Sequence, residues 1–187
     1  MDLTDWLVSE LDDTTARLRG QVLDLVPRDR QLERMPGGNS IAWSTFHVAK
    51  HAALALRVVG FLEPGPDERL ASFDLQAAAG GAGLQEVEQP WAASFDAAAV
   101  DEFAGSVFGD VRRYLSTLGP AALDERPDVD AGLHAAGIDS DAFGWLYGMW
   151  GGQPLGFLVR WPLIGHVTNH VGEMISTRNQ LGLSPFR

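Results

Sequence analysis

The sequence predicts an all-α fold, most simply a four-helix bundle. Apolar residues recur at helical spacing over four long stretches. Each stretch opens on a capping residue or a proline. No run shows the apolar–polar alternation of a half-buried strand. With 187 residues, one domain over 1–187 is expected, and 45% hydrophobic residues suffice for a core without staples.

The first helix is expected over roughly 3–26, where Leu3, Trp6, Leu7, Leu11, Leu18, Val22, Leu23 and Val26 share one face. Asp2 or Thr4 caps it, and Pro27 stops it. Arg28 to Gly38 is charged, ends in Pro36-Gly37-Gly38, and reads as a connector. Asn39 and Ser40 are N-caps for a second helix running from Ile41 to about Leu62, apolar enough to be buried on most sides. Glu63 to Trp91 carries Pro64, Gly65, Pro66 and Gly80-Gly81 and has little periodicity, so it reads as a long connection of the kind that forms lids or sites. Asp96 caps a third helix, whose Val100, Phe103, Val107, Val111, Tyr114 and Leu118 give the clearest helical period before Gly119-Pro120 stops it. A second long connection spans Ala121 to Gln153. Pro154 then suits the start of a fourth helix reaching Leu181, with a kink at Pro162 or a start displaced to Pro162.

Composition excludes several functions. The absence of cysteine removes disulfide scaffolds, thiolate zinc sites, iron–sulfur clusters and cysteine nucleophiles. A net charge of −11 argues against binding nucleic acid, whose phosphates require lysine and arginine. No apolar run approaches a membrane span and no signal-peptide pattern opens the chain, so a cytoplasmic protein without a membrane partner is expected.

Four of the five histidines form two i, i+4 pairs, His47/His51 and His166/His170, where chance would give about 0.1 such pairs. That spacing stacks two imidazoles on one helical face, close enough to share a divalent ion. His166 and His170 lie in a stripe with Leu163, Val167, Val171 and Met174, so both rings are expected to point inward, where unpaired imidazoles are costly. Either His47 or His51 could face them. Glu173 shares their face as a ligand, a support for an imidazole or a base, unless it simply pairs with Arg178 or Arg57. Neither Glu-x-x-His nor His-Glu-x-x-His is present, which argues against a di-iron site or a zinc peptidase of those kinds. Gly38-Asn39-Ser40-Ile41-Ala42 lacks the strand of a nucleophile elbow, and Gly81-Ala82-Gly83 lacks the frame of a dinucleotide loop. Trp145, Tyr147 and Trp150 lie among glycines just before the histidine helix, as a hydrophobic plug or a pocket lining for a small-molecule ligand. His134 is expected to be solvated.

Two segments together resemble the DinB/YfiT-like superfamily. Ser40-Ile41-Ala42-Trp43-Ser44-Thr45-Phe46-His47-Val48-Ala49 is similar to its second-helix signature. His166-Val167-Thr168-Asn169-His170-Val171-Gly172-Glu173-Met174-Ile175, with Arg178 and Leu181-Gly182, is similar to its fourth. The resemblance covers essentially the whole chain in helix order. It implies a four-helix bundle with an unusual connection order and a mononuclear divalent metal, zinc or nickel ahead of iron or manganese, on His47, His166 and His170. His51 then falls outside the triad. It further implies thiol-dependent transfer or isomerisation with a low-molecular-weight thiol such as mycothiol, bacillithiol or glutathione. Three imidazoles leave coordination positions open for such a thiol, whose proton Glu173 or His51 would accept. A metal-dependent hydrolase and a non-catalytic stress-response module are the alternatives, and exposed apolar helix faces are compatible with a homodimer.

Overall fold

A computed structural model describes residues 2–73, 75, 83 and 85–186. Gly80-Gly81 and the first two residues of Gly81-Ala82-Gly83 lie outside the described residues. Among those described, every regular element is helical, so the all-α class expected from the periodicity is observed.

Helix α1 covers Leu3–Leu18 and runs on into a π turn, Arg19–Leu23. The Asp2 carboxylate accepts from the Asp5 N–H at 2.8 Å and caps it. Trp6 departs from expectation. It is 49% exposed at the rim of an apolar groove of about 410 Å³, lined also by Leu3, Leu123 and Ile164.

Helix α2, Ile41–Val58, is capped by the Ser40 hydroxyl, which accepts from the Trp43 N–H at 3.1 Å. All residues from Ile41 to Leu56 are buried. A helix apolar all round belongs at the centre of a structure, and α2 packs against most of the other long elements. It ends at Val58, short of Leu62, because Gly60 turns the chain with φ at +73°.

The two long connections hold short helices that periodicity could not reveal, since a single turn has no repeat to detect. The first contains α3, Arg69–Ser72, and 3₁₀ turns at Glu86–Glu88 and Pro90–Ser94. Asp67 anchors it, accepting from Arg57 at 3.2 Å and Arg69 at 2.8 Å, while Arg69 also reaches Asp110 at 2.6 Å. Helix α4, Ala97–Leu115, follows under the Asp96 cap, which accepts from Ala98 N–H at 2.8 Å. The second connection contains α5, Val129–Ala135, and α6, Gly144–Trp150. Gly132 lets α5 press on α2, since a Cβ there would sit 2.9 Å from the Val58 Cα.

Beyond Pro154, α7 covers Leu155–Leu158, a π segment covers Val159–Gly165, and α8 covers His166–Gln180. Backbone angles stay helical across both joins, so this is one rod that begins beside Pro154. Pro162 sits inside the π segment. A proline ring collides with the i−4 carbonyl of a regular helix and offers no N–H, and the wider turn accommodates both defects.

Helix α1 lies against α4 and α8, while α2 lies between α4 and α8. Arg112–Asp12 at 2.9 Å and Arg19–Asp101 at 2.9 Å tie α1 to α4 at the surface. Among the described residues, no helix is long and apolar enough to cross a membrane.

Candidate metal centre

Packing of α2 against α8 brings three imidazoles to one point. His47 Nε2 lies 3.2 Å from His166 Nε2, and His166 Nε2 lies 3.1 Å from His170 Nε2. The ligand atoms of the three all lie within 4.8 Å of one another. Tetrahedral nitrogen ligands at ~2.0–2.1 Å from an ion would stand about 3.3 Å apart, so the observed spacing fits a shared cation. Protons satisfy such a cluster poorly, because one N–H between two rings leaves the third lone pair facing another nitrogen.

Burial keeps two of these rings, those of His47 and His166, neutral. Burial, reinforced by His51 and His170 and opposed by the Gly83 backbone, pushes His47 down to about 2. Burial, then His47 and His170, pushes His166 down to about 3. Both therefore present lone pairs at neutral pH, the form a metal requires. The Nδ1 atom of His166 is buried without a hydrogen-bond partner among the described residues.

Glu173 takes the supporting position. Its Oε2 lies 2.7 Å from His170 Nδ1, one turn along α8. That contact places the Nδ1 proton toward the carboxylate and leaves Nε2 as the inward lone pair. The arginines weighed as its partners are engaged elsewhere. Arg178 is 2% exposed and donates to the Gln21 carbonyl and to Asn179, while Arg57 donates to Asp67, Ala53 and Gly65.

His51 stands beside the three without joining the convergent set. Its ring centre is 4.5 Å from that of His47 and 5.1 Å from that of His166. Trp145 stacks near it at 6.1 Å and 29°, and Trp150 meets it edge-on at 6.2 Å. Tyr147 turns the other way, donating its hydroxyl to the Ile138 carbonyl at 2.8 Å. His134 is exposed, as expected.

Two tryptophans that the sequence does not mark as site residues also flank the histidines. Trp43 stacks on His47 at 6.2 Å, a neighbour that its i, i+4 spacing could have revealed. Trp161 lies 5.6 Å from His166, an i, i+5 relation that only a π turn places on one face. Beside His170 and Glu173 opens a cleft of about 360 Å³, lined by polar side chains that include Ser44 and Thr177. No family model, curated protein or solved structure matches this chain.

Proposed function

We propose that this chain is a metal-dependent enzyme of the DinB/YfiT-like kind, a four-helix bundle that activates a low-molecular-weight thiol at an ion held by His47, His166 and His170. The carrying observation is that His166 Nε2 lies 3.2 Å from His47 Nε2 and 3.1 Å from His170 Nε2, with a carboxylate on the far nitrogen of His170. Zinc or nickel suits this donor set best, with iron or manganese as alternatives. When bound, the ion supplies Lewis acidity that lowers the pKa of a thiol or water beside it.

The chain's own residues do the rest. Burial keeps His47 and His166 unprotonated, so their lone pairs are available without a proton to expel. Glu173 orients His170 through Nδ1. His51, in ring contact with His47 and His166, is placed to take a proton released at the centre. Trp145 and Trp150 cover His51 on one side and limit water there. With no cysteine in the chain, the sulfur nucleophile must come from outside.

Metal analysis of purified and reconstituted protein is the primary test. One divalent ion per chain is expected, lost in His166→Ala and in His170→Ala; no uptake under any loading condition, or full occupancy in both variants, would sink the assignment. Turnover of an electrophile with added thiol, against ester or amide hydrolysis without it, separates thiol activation from water activation.

A further inference from the structure

The three convergent imidazoles are not held alike. His170 has a carboxylate on its outer nitrogen, with Glu173 Oε2 at 2.7 Å from Nδ1. His47 has the Gly83 backbone as a hydrogen-bond partner. His166 has no such support: its Nε2 faces the other two rings, and its Nδ1 is buried without a partner among the described residues. A ligating imidazole ordinarily donates its second N–H to a carboxylate, a carbonyl or water, which fixes the tautomer and the plane of the ring. The middle member of the cluster is therefore the one whose orientation no hydrogen bond explains.

Rings take the place of that bond. Among the described residues four rings stand around His166, and three are imidazoles of the same neighbourhood, His47 at 5.0 Å, His51 at 5.1 Å and His170 at 4.7 Å. The fourth is Trp161, 5.6 Å away and tilted by 49°. Trp161 precedes His166 by five residues, which a regular α-helix sets on divergent faces and the π segment Val159–Gly165 brings together. Pro162 lies between the two and disfavours closure of that wide turn into a regular helix. Gly165 clears the path, since a Cβ on it would lie 3.5 Å from Trp161 Cε3, so the indole lies along the bare face of Gly165. An indole also suits an imidazole that holds an ion. The coordinated ring carries part of the ion's charge, and the negative face of an aromatic system attracts such a group within about 6 Å.

We infer that Trp161 is a positioning residue of the metal centre: its indole, delivered by the π segment, holds the His166 ring in place of a hydrogen bond at Nδ1. The inference rests on the proposed metal centre for what the held ring does, and on packing alone for how it is held. It also makes His166 a weaker donor than His170, because an acceptor on the far nitrogen raises the basicity of a ligating imidazole.

The test uses the full chain carrying Trp161→Phe or Trp161→Leu. Zinc affinity, measured by chelator competition, is expected to fall about tenfold in Trp161→Leu and no more than about threefold in Trp161→Phe. The visible bands of cobalt(II)-loaded protein, which report ligand geometry, should move in the leucine variant and stay in place in the phenylalanine variant. Trp161 is only partly buried, so both variants are expected to fold, which urea midpoints of the metal-free chains check. Should the leucine variant not fold, Trp161→Met replaces it. Unchanged affinity in both variants, an equal loss in both, or cobalt bands that stay fixed throughout would overturn the inference. Proton–carbon NMR of the metal-free chain separates this outcome from failure of the metal centre itself. The His166 ring signals, identified by their loss in His166→Ala, should be single and sharp in the parent and broadened or doubled in Trp161→Leu. That result in a chain that takes up no ion would keep the positioning role and remove the metal. Unaltered ring signals would overturn the positioning role whether or not an ion binds.

Discussion

His170 has one ring nitrogen in the cluster and the other on a carboxylate, and each contact defines the role of the other. Replacing Glu173 by Gln keeps the side chain's size and removes its charge. Metal affinity should then fall about 10–100-fold, the usual consequence of losing an outer carboxylate on a ligating imidazole, as competition with a chelator would measure. His51→Ala should keep stoichiometric metal, because His51 lies outside the convergent set. The neutral pair His47 and His166 makes metal-free protein acid-labile in a definite direction. Both pKa values are lowered in the fold, so below about 6.5 the unfolded chain binds protons that the folded chain refuses. Stability should therefore fall as pH drops from about 6.5 toward 3, by at most ~1.4 kcal/mol per pH unit for each histidine, with no contribution from these groups above that window. Urea midpoints of the metal-free chain at pH 7, 6 and 5 check this; equal midpoints would count against buried neutral imidazoles. The histidine pairs were visible in the sequence because their spacing is local. Their convergence was not, since it depends on how α2 and α8 meet.

The long helices were legible where capping chemistry and apolar period agree. Asp2, Ser40 and Asp96 each accept the N–H bond expected of a cap. The rod from Leu155 to Gln180 shows where such reading stops, because a proline within a helical pattern signals a disturbance without specifying its form. Gly165 exposes the form: a Cβ there would lie 2.8 Å from the Arg160 carbonyl, a contact created by the wide turn. Gly165→Ala should thus cost about 1–3 kcal/mol in thermal or urea unfolding and weaken metal binding, since His166 is the next residue. Gly132→Ala, which would force α5 away from Val58, should lose similar stability while leaving metal affinity unchanged. The pair separates packing strain in general from strain at the centre. Short helices such as α3, α5 and α6 are too brief for an apolar period to stand out; α5 buries Val129 and Leu133, a single i, i+4 pair.

At the scale of the whole molecule, an ion binding the folded chain and not the unfolded one adds stability by mass action. At one hundred times Kd the gain is about 2.7 kcal/mol, which for a chain of this size raises Tm by roughly 5–10 °C, and a chelator should reverse it. Melting curves with and without added zinc would show this; an unchanged Tm with metal demonstrably bound would mean that the cluster contributes nothing to the fold. Trp6 was expected to bury itself and instead borders a groove, because amphipathic spacing gives a direction and not the reach of the neighbouring element. The π segment, finally, acts as a phase shift within one rod. Residues before Val159 and after Gly165 follow helical wheels offset by one extra position, so a wheel drawn through the entire rod assigns one half to the wrong face. Deleting a single residue between Val159 and Gly165 would bring both halves into one phase, and the imidazoles and the wall of the Trp6 groove could then no longer both point where they do.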